Sequence, residues 1–355
     1  MKLGLSICII TKNESANLAK CLASVGALAN EIVVVDTGST DQTLKVCQKY
    51  TSRIFAYSWS NNFSAARNFA LTKTTNDIVL MIDSDEVLKD YDLKTLRESI
   101  ENLGQSIGRL TRKNYTNWNS KSAQIKAEKI SRVFSKKYYR YIGRVHEQLV
   151  RNDSSTKKIN YIDLPIVLEH FGYQQRTNLN LKAKRNLELL KLDLADHPDD
   201  PYILYQIGKC FNFLQRDDLV VCYLKKALAV EKNPFKSYVY DCVETLGYAF
   251  NRTHQSELGI RLLQQYSIYQ GVADYWFLLG ILQMNAALFE QAVASFLRAT
   301  KCKHFNTLGI NNYLSYYNIG VIYEVLGEKH KSLEFYQKCG DYALAKEGLK
   351  RINAN

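Results

Sequence analysis

Two aspartates alternate at Asp83-Ser84-Asp85, with Glu86 next, directly behind the apolar run Ile78-Val79-Leu80-Met81-Ile82. A five-residue apolar run of this kind reads as a buried strand, so both carboxylates fall at its carboxyl end, on either side of a turn. Acids so placed cannot both be neutralised by the chain's own core, and they suit a hard divalent cation, Mg2+ or Mn2+, that also holds phosphate oxygens. An isolated pair of this type is more often a turn or a helix cap; the surrounding pattern decides. Two later segments carry further chemistry, Gly143-Arg144-Val145-His146-Glu147-Gln148 and Glu169-His170-Phe171-Gly172-Tyr173. The neighbouring His146 and Glu147 invite a zinc-hydrolase reading, but HExxH needs a histidine at position 150, where Val150 stands.

The elements that must position these residues alternate strand and helix. Residues 5–10 read as a strand, and 14–25 as a helix with Leu18, Cys21, Leu22 and Val25 at helical spacing. Residues 32–35 are β-branched without alternation, which suits a parallel strand buried on both faces. Gly38-Ser39-Thr40-Asp41 supplies turn and capping chemistry for a helix reaching residue 50. A strand over 53–57, a helix over 63–72 and a strand over 78–82 complete the pattern of a doubly wound parallel sheet with helices on both faces. In such sheets ligands bind beyond the carboxyl ends of the strands. The residues there are Thr11-Lys12-Asn13-Glu14, Asp36-Thr37-Gly38-Ser39-Thr40-Asp41 and Asp83-Ser84-Asp85-Glu86. Neither GxGxxG nor GxxxxGK[ST] occurs, which excludes the common dinucleotide and P-loop modes.

With Phe63-Ser64-Ala65-Ala66-Arg67-Asn68, these motifs resemble, in order, the nucleotide-sugar-binding half of a family 2 glycosyltransferase of GT-A fold. The resemblance is dense from residue 5 to about 90 and implies an α/β GT-A domain that moves a hexose from a UDP-sugar, UDP-glucose favoured, with inversion. It implies that Thr11, Asn13 and Glu14 line the nucleoside pocket, that Asp36 and Thr37 reach the base, and that Arg67 lies near the diphosphate. Thr37 stands where relatives often carry a second acid. Asp83 and Ser84 then belong to the donor site, Asp83 toward the ribose, while Asp85 faces the Mg2+ or Mn2+ and His170 completes its shell. Glu147 is the expected base, with His146 as the alternative.

Pro198 and Pro201 bracket an Asp-Asp pair, and beyond them the pattern is wholly helical. Trp276-x-x-Leu279-Gly280 with Ala292, Phe296 and Ala299 matches the tetratricopeptide template. Weaker copies fall on Ile207-Gly208 with Leu224 and Ala227, Leu246-Gly247 with Leu263, and Ile319-Gly320-x-x-Tyr323 with Tyr336, the glycines 39, 33 and 40 residues apart. The expected organisation is a GT-A domain over 1–175, a helical linker over 176–200 and tetratricopeptide-like repeats over 201–355. This pairing is similar to the bacterial peptide glycosyltransferases that decorate bacteriocins. It implies a small peptide acceptor glycosylated on Cys or Ser/Thr; a lipooligosaccharide or surface-polysaccharide acceptor, or a non-catalytic scaffold, is the alternative. A helical array also suits a homodimer.

The formal charge is +12, and residues 109–144 hold eleven cations against the single anion Glu128, with Tyr115, Trp118, Phe134, Tyr138, Tyr139 and Tyr141 interleaved. A solvated basic face, a single-stranded nucleic-acid surface and a site for anionic substrate all fit such a stretch. Acids at the sheet edge and the lack of any nucleic-acid module turn the reading from nucleic acid to the anionic donor. Eight cysteines occur without a CxxC pair; Cys8, Cys21, Cys47 and Cys222 fall on expected apolar faces, so reduced core thiols in a cytoplasmic protein are expected. No signal peptide is read at the start, and no apolar run approaches the roughly 18 residues of an integral membrane segment.

Overall fold

The structure, a computed structural model, describes residues 3–28, 30–116, 124–153, 155, 157–170 and 176–354. Phe171, Gly172 and Tyr173 of the later motif, and Trp118 and Lys121 of the basic stretch, lie outside the described residues. The chain divides into two compact units at Arg176/Thr177.

The first unit opens with β1 (Leu5–Thr11), α1 (Ser15–Val25), β2 (Glu31–Asp36), α2 (Thr43–Cys47), β3 (Ile54–Ala56), α3 (Phe63–Thr72) and β4 (Ile78–Asp83). Each expected element is present; the second helix ends earlier than expected. The strands β3, β2, β1 and β4 lie side by side and parallel. Alternate residues feed two cores, as the strand period of two requires. Leu5, Ile7, Ile9, Ile32 and Val34 pack with α1, while Cys8, Val33, Val35, Val79 and Met81 pack with Ala70 and Leu71 of α3.

The chain then adds β5 (Glu86–Tyr91), α4 (Leu93–Glu101), β6 (Ile107–Thr116), β7 (Gln124–Ser135), β8 (Tyr139–Ile142), β9 (Gln148–Arg151) and β10 (Tyr161–His170). Four of these extend the sheet to eight strands in the order β3-β2-β1-β4-β7-β6-β10-β5, and β8 pairs with β9 separately. Within the eight-stranded sheet four of the six described pairings are parallel; β7 runs antiparallel to β4, and β5 to β10. The basic stretch is therefore built largely of strands within this sheet. Ser84 and Asp85 form the two-residue connection between β4 and β5, the latter pairing at the sheet's far edge.

The second unit is helical: α5 (Arg176–Asp196), α6 (Pro201–Phe213), α7 (Asp217–Val230), α8 (Ser237–Arg252), α9 (Ser256–Gln265), α10 (Ala273–Asn285), α11 (Phe289–Lys301), α12 (Tyr313–Val325), α13 (Lys329–Gln337) and α14 (Ala343–Ala354). Pro201 opens α6, and the Asp200 carboxylate caps it by accepting from the Tyr202 and Ile203 amides at 2.8 and 3.0 Å. The repeat glycines mark where helices approach closely. A Cβ on Gly208 would lie 2.3 Å from Leu224, one on Gly280 2.7 Å from Phe296, and one on Gly320 2.6 Å from Tyr336. Gly247 instead faces Leu278 of the following hairpin rather than Leu263. Gly280→Ala should lower stability by about 1–2 kcal/mol: three Phe296 ring atoms within 3.0 Å would have to move, outweighing the helix-propensity gain. Thermal unfolding checks this, and an unchanged midpoint would mean the ring has room to yield.

All eight cysteines are free; Cys222 is exposed, contrary to expectation, because it falls off the α7 face that buries Val220, Leu224 and Ala227. Among the described residues, no helix is long and apolar enough to cross a membrane.

Candidate active site

The loops after β1 and β2 are stitched together by their own polar residues. Asp36 Oδ2 accepts from the Gly38 and Ser39 amides, both at 3.0 Å. Asn13, held at φ 55°, accepts from the Thr40 amide at 2.8 Å, and the Glu14 amide donates to Thr43 Oγ1 at 2.9 Å. The Thr37 hydroxyl donates to the Thr11 carbonyl at 3.0 Å. Thr11 and Asp36 are register partners across β1 and β2, and Thr11 Oγ1 and Asp36 Oδ1 are both buried without a hydrogen-bond partner. A buried polar atom left so costs on the order of 1–3 kcal/mol, which a ligand at this edge would relieve.

Arg67 projects from α3, whose first turn is capped by Asn62. Its Nη2 donates to Asp83 Oδ1 at 2.8 Å and its Nε to Glu147 Oε1 at 3.0 Å. The same helix fixes the segment that carries Glu147. Asn68 exchanges two 2.9 Å hydrogen bonds with the Tyr141 backbone, and the Phe63 amide donates to the Arg144 carbonyl at 2.8 Å. Between these anchors the chain turns at Gly143 (φ 91°) and His146 (φ 54°), which brings Glu147 onto the guanidinium. His146 is half-buried. Arg67 Nη1 and Tyr141 Oη are buried without partners, the guanidinium carbon 5.6 Å from the Tyr141 ring.

Asp83 is claimed from two sides. Besides Arg67, Arg132 of β7 donates to its Oδ2 at 2.6 Å and reaches Glu86 Oε1 at 3.4 Å. Of the two acids expected not both to be neutralised by the chain's own core, Asp83 carries two arginines supplied by the fold. Burial opposes its charge, but Arg132 and Arg67 outweigh that and hold the carboxyl well below the usual carboxylate range. A depressed folded value contributes stability that is full above the unfolded carboxylate value, about 3.9, and is lost progressively below it as pH falls through the lower folded value. The unfolding midpoint should therefore drop with pH below about 4, and less steeply in Asp83→Asn. Identical acid limbs would place the sensitivity elsewhere.

Asp85 sits in a different setting. The antiparallel register of β10 on β5 puts His170 opposite Glu86, next in sequence to Asp85, and the parallel register on β6 puts His170 beside Asn114. The imidazole Nε2 lies 3.4 Å from Asp85 Oδ2, and Nδ1 lies 2.9 Å from Asn114 Oδ1. Among the described residues no group of three or more His, Cys, Asp or Glu gathers around a metal position. A carboxylate and an imidazole still fit Mg2+ or Mn2+, because such ions take one or two protein ligands where a diphosphate supplies further oxygens.

A charged belt that the sequence reading missed joins these groups. From Arg132 it continues through fully buried Glu86 to Arg112 at 3.1 Å, then to Glu128 at 2.7 Å, and on to Asn114 at 2.6 Å. A chain of alternating partners thus runs from Glu147 to His170. Its available signal was a period of two: Arg112 and Asn114 share one face of β6, and Glu128 is the one anion in the basic stretch. Elsewhere in that stretch, Arg109 pairs with Asp163 at 2.9 Å and Lys137 with Asp77 at 2.6 Å, so much of the charge is spent within the fold.

Residues 6–159 match the model of glycosyl transferase family 2, and residues 313–345 that of the tetratricopeptide repeat. A TPR repeat-containing protein of Synechococcus elongatus is 28% identical over 211 residues, covering 57% of this chain and 51% of its own. The SPbeta prophage-derived glycosyltransferase SunS of Bacillus subtilis is 29% identical over 223 residues, 62% of this chain and 52% of its own. An uncharacterized glycosyltransferase of Rickettsia conorii is 37% identical over 97 residues, 27% of this chain and 33% of its own. The chain thus spans about half the length of the first two relatives. Residues 6–159 are a family 2 glycosyltransferase domain, joined in this chain to a helical region that carries a tetratricopeptide repeat.

Proposed function

We propose that the protein is a metal-dependent inverting glycosyltransferase that moves a hexose from a UDP-sugar, UDP-glucose favoured, to a Cys or Ser/Thr side chain of a small peptide. The observation that carries this reading is the pair of carboxylate settings at one sheet edge: Glu147 on Arg67 beside Asp83, and Asp85 facing His170. Glycosyltransferase relatives and the family match support the reaction class.

At the edge of β1 and β2, Asp36 Oδ1 and Thr11 Oγ1 offer the uridine base the hydrogen bonds they lack within the chain, with Asn13, Glu14 and Thr37 shaping the pocket wall. Asp83 and Ser84 border the donor's ribose. Asp85 and His170 would hold Mg2+ or Mn2+, whose charge offsets that accumulating on the leaving diphosphate. Arg67 keeps Glu147 oriented as an anionic acceptor, so that Glu147 can take the proton of the attacking acceptor group on the opposite face of the sugar. His146, one residue earlier, is the alternative base. The peptide reading rests on the helical repeats, which offer an extended surface, and on the resemblance to bacteriocin-modifying enzymes. The protein incubated with UDP-glucose, Mn2+ and short Cys- or Ser-containing peptides should add a hexose mass to the peptide. Donor turnover with no peptide product but with transfer to glycan acceptors would move the acceptor to the surface-glycan class.

A further inference from the structure

We infer that Glu128 and Asn114 are positioning residues that set the tautomer of His170 and so present its Nε2 lone pair to Asp85; the inference rests on the proposed role of His170. The argument runs along three hydrogen bonds. Glu128, ion-paired with Arg112 at 2.7 Å, offers only acceptor oxygens, so the Asn114 group that meets it at 2.6 Å is the amide NH2. That fixes the amide flip and turns Asn114 Oδ1, an acceptor, onto His170 Nδ1 at 2.9 Å. Nδ1 must then carry the proton. In the neutral ring Nε2 is left with its lone pair, 3.4 Å from an Asp85 carboxylate oxygen. Facing that carboxylate, the lone pair would serve beside Asp85 as a second ligand to a cation, so a contact remote from Asp85 prepares the site for a metal ion. Asn114 and His170 are both more than nine-tenths buried and adjacent in the β6–β10 register, so the relay is held by the sheet rather than by a loop.

The test uses the full chain labelled with 15N-histidine, whose six imidazoles are resolved in long-range 1H–15N spectra at about pH 8, above the ordinary imidazole range. His170 is assigned from its absence in His170→Gln. The wild-type, metal-free protein should show His170 protonated at Nδ1, and Glu128→Ala should show a mixture of tautomers and a Mn2+ affinity weaker by about tenfold. Glu128→Gln should restore both, because its amide oxygen still accepts from Asn114. A wild-type His170 protonated at Nε2 overturns the inference without any variant, as does an unchanged tautomer in Glu128→Ala. If the tautomer depends on Glu128 but no Mn2+ binds, the positioning stands and the metal role of His170 falls. If Mn2+ binds through His170 while the tautomer ignores Glu128, the metal role stands and the positioning falls.

Discussion

Replacing Arg67 with alanine is expected to destabilise the protein by about 3 kcal/mol, since breaking a buried ion pair strands uncompensated charge. The Arg67 side chain is 8% exposed and holds two carboxylates at once, Asp83 at 2.8 Å and Glu147 at 3.0 Å. Arg132 still serves Asp83 when Arg67 is gone, so among the described residues Glu147 is the group left without a cationic partner. Transfer should therefore fall even in the folded fraction. Arg67→Lys keeps a charge but cannot present two separate N–H edges, so it should recover part of the stability and little of the rate. Denaturant unfolding together with donor turnover below the unfolding midpoint measures both effects. A variant as stable and as active as wild type would show that the bridge is incidental.

Glu147→Gln removes the acceptor of the proton while keeping the side chain's shape and a hydrogen bond from Arg67. Donor binding should stay within a few-fold, and transfer to a Ser or Thr acceptor should slow by about 10^2-fold or more, the usual contribution of a general base. A Cys acceptor should suffer less, because a thiol with a pKa of roughly 8.5 is already partly ionised. Equal slowing on both acceptors would mean that Glu147 orients the acceptor rather than deprotonating it. Full activity in Glu147→Gln, with loss in a His146 variant, would move the base to His146.

How far the sequence disclosed this site follows from which contacts are local. The parallel half was legible because runs such as Ile32-Val33-Val34-Val35 have one plausible structure, and the polar residues behind each run must then share an edge. Strands β6 and β7 were not legible because they carry Arg109, Arg112, Lys129 and Arg132, and a cation-rich stretch reads as surface. The charges of Arg112 and Arg132 are tolerated inside the sheet because Glu86, Glu128 and Asp83 arrive from residues 16 to 49 positions away. Such pairings depend on which strands meet, and the alternation of Arg112 and Asn114 on β6 does not by itself name their partners. The same reason explains Asp83: its neighbours in sequence suggest a ligand's charge as its partner, while its neighbours in space are Arg67 and Arg132. The meeting of His170 with Asp85 follows from strand register, which depends on where β5 and β10 pair and not on either motif alone. The glycines of the helical repeats were legible because a small residue facing a large one recurs at nearly constant spacing.

The most direct test of the account is release of UDP from UDP-sugars, measured with and without Mn2+, by the wild-type chain and by Asp85→Ala. The account predicts release that requires the metal and falls by about 10^2-fold or more in Asp85→Ala, in a variant whose unfolding midpoint stays near wild type. Release that ignores both the metal and Asp85 would contradict the assignment of Asp85 and His170, and the absence of both UDP binding and release in wild type would contradict the glycosyltransferase reading itself.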